Sequence, residues 1–390
     1  MCGMNGSPNI DDAGELLSRL VRCPSVSAGE GIALEAPFGE ARLIELLRGM
    51  LDSWGAHVQV TEAAPGRPNL IARFDGADAG RSVLLEAHAD TVGVEGMTVP
   101  PFEAVVRDGR LYGRGACDTK GSMAAMLLAI RSVLDGQGRP GAMVYFAATC
   151  DEERGARGAR ALVAGGFRPD CAIVGEPTDL TIVHACKGVA HVRIETVGLA
   201  AHGSAPDRGR NAILQMRKVL EALEGPVSAS LAIRRHPVLG PPTLNVGVIA
   251  GGTESNTVPV RCRIDVDRRL LPGERMEQVA GEILSPLEAI RRSDPAFEFQ
   301  SRCDLVYPPF EEDPAGELVG RLRAACQAEL GRAETSAAPW ASNANIFKQA
   351  GIPSVVFGPG SVRQAHTRDE FVELEQVAQA ARVYAAIIAG

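Results

Sequence analysis

The sequence predicts an α/β protein whose mixed sheet is flanked by helices and whose main domain is interrupted by an inserted α+β domain. The first observation behind this prediction is a set of short apolar runs that end in an acidic residue or a histidine. The second is a helical spacing of apolar residues between those runs. The third is a change of pattern in the middle of the chain, where the order of elements becomes βαββαβ.

Composition narrows the class of protein. A chain of 390 residues that is 45% hydrophobic favours two domains over one. The formal charge of -8 and the absence of a dense Lys/Arg run argue against nucleic acid or an anionic membrane as a partner. Residues 1–8 carry neither a basic nor an apolar leader, and the nine cysteines include no Cys-x-x-Cys pair. We therefore expect a cytoplasmic protein with reduced thiols.

The main domain is predicted in two parts, residues 1–182 and 304–390. Asp11–Asp12 is the predicted cap of the first helix, which Pro24 ends. The buried apolar run Val83–Ala87 is predicted to be a central strand. The remaining predicted elements are helices at 39–54, 122–134, 314–330 and 371–388, strands at 56–60, 69–74, 142–148, 171–174 and 354–357, and a hairpin with a loop at 101–113.

The inserted domain is predicted at residues 183–303. Its strands are predicted at 188–198, 244–250, 258–266 and 297–301, and its helices at 211–223 and 276–290. That βαββαβ order is the ferredoxin-like arrangement, a small α+β unit with its own core.

The predicted strands deliver a set of metal-binding side chains to one edge of the sheet, because parallel strands of an α/β sheet place chemistry at their carboxyl ends. Two imidazoles and three carboxylates suit zinc, cobalt or manganese, and they exceed what one tetrahedral ion needs. Two ions that share a bridging carboxylate would use all five. The alternative is that these acids are helix caps and surface charges. The candidate ligands are His88, Asp118, Glu153, Glu176 and His366.

Two further carboxylates have candidate roles beside these ligands. His88 and Asp90 would point the same way on an extended chain, which suits an imidazole oriented by a carboxylate. Glu152 is the candidate general base, since it stands next to Glu153 and a hydrolysis needs a group that moves a proton from water to the leaving amine.

The motifs around these residues resemble those of the dinuclear zinc aminoacylase/carboxypeptidase family. That family includes acetylornithine deacetylase, succinyl-diaminopimelate desuccinylase and the glutamate carboxypeptidases, and the first two are the nearest branch. The resemblance implies that His88 and Glu176 hold one metal, that Glu153 and His366 hold the other, and that Asp118 bridges. It runs in order through 88–90, 113–121, 151–153, 175–178 and 358–370.

The inserted domain resembles the lid and dimerisation domain of the same family. The resemblance implies that His202, in 201–206, stabilises an oxyanion, a role worth about 2.7–4 kcal/mol where it has been measured. It also implies that Asn256, Arg269 and Gly360 bind substrate, with Arg268 as the alternative to Arg269. Asn343 departs from the family, which often has an acidic residue there.

We therefore expect an amidohydrolase that uses two divalent metal ions, with zinc expected first and cobalt or manganese as alternatives. The substrate would be an N-acyl amino acid or a related small amine. A dipeptidase or carboxypeptidase of the same family is the close alternative. The more distant ones are a binder that kept the fold and a cysteine hydrolase built on Cys117 or Cys150. The sequence leaves the oligomeric state open between a homodimer through the inserted domain and a monomer.

Overall fold

The computed structural model describes residues 7–27 and 35–390. Its strands are β1 (His57–Ala64), β2 (Arg67–Phe74), β3 (Asp78–His88), β4 (Val105–Arg107), β5 (Arg110–Tyr112), β6 (Ala142–Thr149), β7 (Cys171–Val174), β8 (Ile182–Cys186), β9 (Gly188–Val197), β10 (Thr243–Gly251), β11 (Arg261–Leu270), β12 (Glu298–Tyr307), β13 (Phe310–Glu311), β14 (Thr335–Ala338), β15 (Ser354–Val356) and β16 (Phe371–Glu373). Its helices are α1 (Ile10–Val21), α2 (Ala41–Ser53), α3 (Lys120–Gln137), α4 (Arg157–Ala164), α5 (Ala212–Ala222), α6 (Ser228–Ala232), α7 (Met276–Ser293), α8 (Glu317–Leu330), α9 (Asn343–Gln349) and α10 (Leu374–Ala389).

The main sheet has the strand order β1-β2-β6-β3-β7-β15-β8-β13, with β14 beside β8. Strand β3 is parallel to both of its neighbours, β6 and β7, and β15 is parallel to β7. Because these strands run the same way, the residues that follow each of them lie at one edge of the sheet. His88 is the last residue of β3. The mixed α/β sheet predicted from the sequence is confirmed.

Helices cover this sheet with apolar side chains. Helix α3 is buried along most of its length and packs against α1 and α10. Because α3 begins just after Asp118, the packing of a buried helix fixes where that carboxylate lies. None of the helices in residues 7–27 and 35–390 is long and apolar enough to cross a membrane.

The chain divides into two compact units. The first contains residues 1–184, 312–337 and 342–390, and the second contains 185–311 together with 338–341. The second unit has an antiparallel sheet of order β10-β11-β9-β12, against which α5 and α7 bury an apolar core. This is the spatial order of a ferredoxin-like fold. The sequence prediction placed the inserted domain at 183–303, whereas β12 continues to Tyr307.

Several element boundaries differ from those predicted. The cap of α1 is Asn9, whose side chain accepts the N–H groups of Asp11 and Asp12, so the prediction that those aspartates form the cap is wrong. The last helix was predicted from Phe371, but residues 371–373 pair with β5 before α10 begins at Leu374. Strands β8, β13 and β14 and helices α4 and α9 were not predicted, because each is too short to show a period.

Candidate active site

Asp118 lies between two histidines. Its Oδ1 is 3.0 Å from Nε2 of His88, and its Oδ2 is 3.2 Å from Nε2 of His366. Each carboxylate oxygen therefore faces a different imidazole, as a carboxylate that bridges two metal ions must do. His88 is 2% exposed at the end of β3, whereas the His366 side chain is 51% exposed.

The second ring nitrogen of His88 is fixed by the backbone. Nδ1 is 2.8 Å from the carbonyl oxygen of Asp90, and it is 3.6 Å from the carboxylate Oδ1 of that residue. A carbonyl can only accept a hydrogen bond, so Nδ1 carries a proton and Nε2 faces Asp118. The main-chain carbonyl of Asp90 accepts the hydrogen bond of Nδ1, and the orienting role of the Asp90 carboxylate, 3.6 Å away, stays a prediction.

The carboxylate of Asp90 instead holds the chain that carries Glu152 and Glu153. Its Oδ1 accepts the backbone N–H of Glu152 at 2.9 Å, and its Oδ2 accepts that of Glu153 at 3.2 Å. Burial alone would raise the pKa of Asp90, but interactions with His88 and the N–H of Glu152 lower it. Asp90 thus holds the backbone of both the candidate base Glu152 and the candidate ligand Glu153.

Glu153 faces His366, with its two carboxylate oxygens 3.2 and 3.1 Å from Nε2 of that histidine. Hydrogen bonds to Asp118 and Glu153 raise the pKa of His366 to about 10. Burial raises the pKa of Glu152 to about 8, the charge of Glu153 adds to that shift, and the charge of His88 opposes it. A carboxyl group tuned in this way is suited to take up and release protons near neutral pH.

Glu176 completes the group of acids. It follows β7 and is 7% exposed, and burial together with the charge of Asp118 raises its pKa well above the ordinary value. Side-chain ligand atoms of His88, Asp118 and Glu153 all lie within 4.8 Å of one another. Positive charge stabilises carboxylates this crowded, and oxygen and imidazole donors suit divalent ions. The residues at this site therefore fit the two metal ions that the sequence predicts.

A buried ion network next to the segment that carries the candidate base Glu152 was not predicted from the sequence. Arg67 is 5% exposed, and its Nε lies 3.0 and 2.7 Å from the two carboxylate oxygens of Glu40. Its Nη1 is 3.1 Å from Oδ1 of Asp151, the residue before Glu152. Asp151 has φ +63°, a left-handed conformation that is uncommon for a residue with a side chain. The Arg67 ion pair therefore supports a strained turn at the start of the Glu152–Glu153 segment.

The side chain of Asn343 contacts residues of β3 and β6. Its Nδ2 donates to Oε1 of Glu86 at 2.9 Å and to Oγ1 of Thr149 at 3.0 Å. Thr149 also donates to Oε1 of Glu86, at 2.5 Å. Glu86 stands two residues before His88, so Asn343 contacts the strand that presents the histidine. An acidic residue at position 343 would face the buried Glu86 carboxylate.

His202 and Asn256 are neighbours in the second unit. The N–H of Gly203 donates to the carbonyl of Asn256 at 2.7 Å, and both predicted side chains are exposed. Nδ1 of His202 accepts the N–H of Ser204 at 3.2 Å and lies 2.7 Å from its hydroxyl. Because Nδ1 accepts, the neutral ring carries its proton on Nε2. This is the tautomer that could donate to an oxyanion.

The two neighbouring arginines of β11 have different environments. Arg268 is fully buried, and its guanidinium bonds Glu274. Arg269 is 31% exposed and meets Asp267 through two contacts of 2.8 and 3.1 Å. Of the two, Arg269 is therefore the one placed to reach a ligand.

Gly360 has a backbone role in the structure. It has φ +84°, and a Cβ there would lie 2.6 Å from Sγ of Cys117. Its N–H donates to Gln376 at 2.7 Å, and its carbonyl accepts from Asp179 at 2.7 Å. These contacts account for a glycine at this position, and the substrate contact of Gly360 stays a prediction.

Comparison with known proteins identifies the class of enzyme. Residues 84–390 match the profile of the family described as peptidase family M20/M25/M40. An acetylornithine deacetylase of Myxococcus xanthus is 33% identical over 358 residues, which cover 89% of this chain and 91% of that protein.

Solved structures share the fold. A tripeptidase of Staphylococcus aureus superimposes with a TM-score of 0.81 at 23% identity, covering 98% of this chain and 99% of that one. A Bacillus subtilis protein described as a dinuclear metal-binding peptidase of the M20 family superimposes with a TM-score of 0.68 at 16% identity, covering 97% of this chain and 97% of that one.

The family match, the curated relative and the shared fold agree with the geometry of the site. Members of this family bind two metal ions, and His88, Asp118 and Glu153 form a candidate metal site in this chain. The prediction of a metal-dependent hydrolase that acts on amide bonds is confirmed. This chain is a metal-dependent amidohydrolase that belongs to peptidase family M20/M25/M40.

Proposed function

We propose that the chain removes the acyl group from an N-acyl amino acid, as an acetylornithine deacetylase does. The observation that carries this proposal is the 33% identity to acetylornithine deacetylases of Myxococcus xanthus and Vibrio parahaemolyticus, over 89% and 86% of this chain. The placement of Asp118 between two histidines supports the hydrolytic chemistry.

The metal ions are proposed to be zinc, with cobalt or manganese as alternatives. His88 and Glu176 would hold one ion, Glu153 and His366 the other, and Asp118 would lie between them. When bound, such ions supply Lewis acidity that polarises the amide carbonyl and lowers the pKa of water.

Glu152 is the proposed general base. It is half-buried and feels the charges of the candidate ligands His88, Glu153 and Asp118, and its raised pKa, about 8, suits a group that takes a proton from the attacking water and returns it to the leaving amine. Asp90 holds the backbone of Glu152, so the carboxylate would act from a fixed position.

Residues of the second unit are proposed to act on the substrate. His202 would donate from Nε2 to the developing oxyanion, in the tautomer that Ser204 favours. Arg269 and Asn256 would bind the substrate carboxylate, for which the planar fork of arginine is suited. A substrate carboxylate would have to share Arg269 with Asp267.

Two further properties are proposals. A homodimer through the second unit is supported by β10, an edge strand with exposed apolar side chains at Val248 and Ile249. A cytoplasmic location is supported by the number of free cysteines among the described residues.

The close alternative is a dipeptidase or carboxypeptidase. It is favoured by the solved structures that share this fold, which include a tripeptidase of Staphylococcus aureus. The two activities differ in what lies beyond the scissile amide, so a substrate panel separates them.

The experiment measures amine release from a panel of N-acyl amino acids and dipeptides. The protein is tested as isolated, after chelation, and after zinc, cobalt or manganese is restored. Metal-dependent release from acyl amino acids supports the proposal, and release from dipeptides alone favours the alternative. No release from either class, with two ions bound, would overturn both substrate proposals.

A further inference from the structure

Glu370 is a buried carboxylate that binds the backbone of the segment carrying Asp118. It is 0% exposed, and its Oε1 accepts the N–H groups of Cys117 and Asp118 at 2.9 and 3.0 Å. Its Oε2 accepts the N–H of Gly115 at 3.1 Å and Nη1 of Arg114 at 2.6 Å. Four donors from residues 114–118 therefore converge on one side chain.

Arg114 extends this connection to the segment that carries His366. Its Nε donates to the carbonyl of Gly93 at 2.8 Å, and its Nη2 donates to the carbonyl of Thr367 at 3.3 Å. Arg114 is itself 3% exposed, so these bonds lie away from solvent. The Arg114–Glu370 pair thus joins the backbone at Asp118 to the backbone next to His366.

This connection matters because packing does not fix His366. Its side chain is 51% exposed, and its backbone has φ +61°, which an L-residue rarely adopts. Asp118 must present one oxygen to His88 and the other to His366, so a small rotation of its backbone would break one of the two contacts.

We propose that Glu370 is a positioning residue for metal binding, which fixes Asp118 and His366 relative to each other through backbone hydrogen bonds and Arg114. The inference rests on the proposed metal ligands, but it does not depend on the substrate. Partners that orient metal ligands typically change metal affinity by about 10–100-fold when they are removed.

The test compares Glu370→Gln with Glu373→Gln. Glutamine offers one accepting oxygen and an NH₂ donor, so it cannot accept from four donors. Glu373 is the matched control, since it also pairs with an arginine, Arg110 at 2.7 Å, but its side chain is 36% exposed. Each chelated protein is titrated with zinc against a competing chelator, and circular dichroism checks that it is folded.

We expect Glu370→Gln to bind zinc about 10–100-fold more weakly than the wild type and Glu373→Gln to differ by less than about twofold. Equal zinc affinity in a folded Glu370→Gln protein would overturn the proposal. Because no substrate is used, this result is independent of whether the deacylase proposal holds.

A second variant covers the case in which Glu370→Gln does not fold. Arg114→Lys keeps a positive charge beside Glu370, but a single ammonium cannot reach both the Gly93 and Thr367 carbonyls as the guanidinium does. We expect weaker zinc binding and an altered absorption spectrum of the cobalt-loaded protein. Wild-type affinity and an unchanged spectrum would show that Arg114 and Glu370 serve stability alone.

Discussion

Asn343 donates a hydrogen bond of 2.9 Å from its Nδ2 to Oε1 of Glu86, and both side chains are completely buried. Burial raises the pKa of Glu86, and the donors Thr149 and Asn343 oppose that shift. The amide at position 343 is therefore matched to a carboxylate at position 86. This pairing gives a physical reason for an amide side chain at position 343.

We predict that Asn343→Asp lowers the free energy of unfolding by about 1–3 kcal/mol, because the buried Glu86 oxygen loses a donor and gains a repulsive neighbour. Urea denaturation measures the loss. The exchanged pair Glu86→Gln with Asn343→Asp should recover at least half of it, since the amide and the acid only change places. An unchanged urea midpoint in Asn343→Asp would show that the Asn343 amide does not stabilise the buried Glu86 carboxylate.

Glu152→Gln should lower kcat by about 10²–10⁴-fold while two metal ions remain bound, because the variant loses the proton acceptor and keeps the ligands. Metal content by mass spectrometry and steady-state kinetics measure the two effects. Glu153→Gln is the matched control, and we expect it to lose metal. Wild-type turnover in Glu152→Gln would remove this residue from its role.

Arg67→Met should lower the free energy of unfolding by about 3–5 kcal/mol, because Glu40 and Asp151 would remain buried without their shared cation. The control is Arg73→Met on the same strand, whose side chain is 41% exposed and which should change stability by less than about 0.5 kcal/mol. Equal urea midpoints in the two variants would show that the buried network around Arg67 does not stabilise the folded protein.

The buried thiols should resist alkylation in the native protein. Burial raises the pKa of Cys171 to about 11, so only about one molecule in a thousand carries the thiolate at pH 8, and it raises that of Cys326 to about 12. Iodoacetamide should therefore react slowly until the chain unfolds. Turnover should survive this alkylation, whereas chelators should abolish turnover. Loss of turnover in step with labelling of Cys117 or Cys150 would instead favour a cysteine hydrolase.

Much of the fold could be predicted from the sequence because its strands and long helices have clear periods. The apolar run before His88 predicted a central strand, and its parallel neighbours follow from similar runs. Short elements were missed: β16 has three residues, and its pairing with β5 depends on a partner that is remote in sequence.

The candidate ligands could also be predicted, since each follows a strand or begins a helix. The network around Arg67 could not, because Glu40 and Asp151 lie far from it in sequence and only folding brings them together. Glu370 stood in a recognisable motif, but its four donors are backbone N–H groups and a guanidinium, and no sequence pattern shows a backbone contact.

The chain leaves the first unit at His184 and returns at Glu312, and the N–H of Glu312 donates to the carbonyl of His184 at 2.7 Å. The two backbone positions at which the chain leaves and re-enters the first unit are therefore hydrogen-bonded neighbours. A short turn could join them in place of the intervening residues. In evolutionary terms this makes the second unit a replaceable module. Under the roles proposed for His202, Asn256 and the edge strand β10, substrate preference and assembly would then diverge there while the strand ends that carry the candidate ligands stay unchanged.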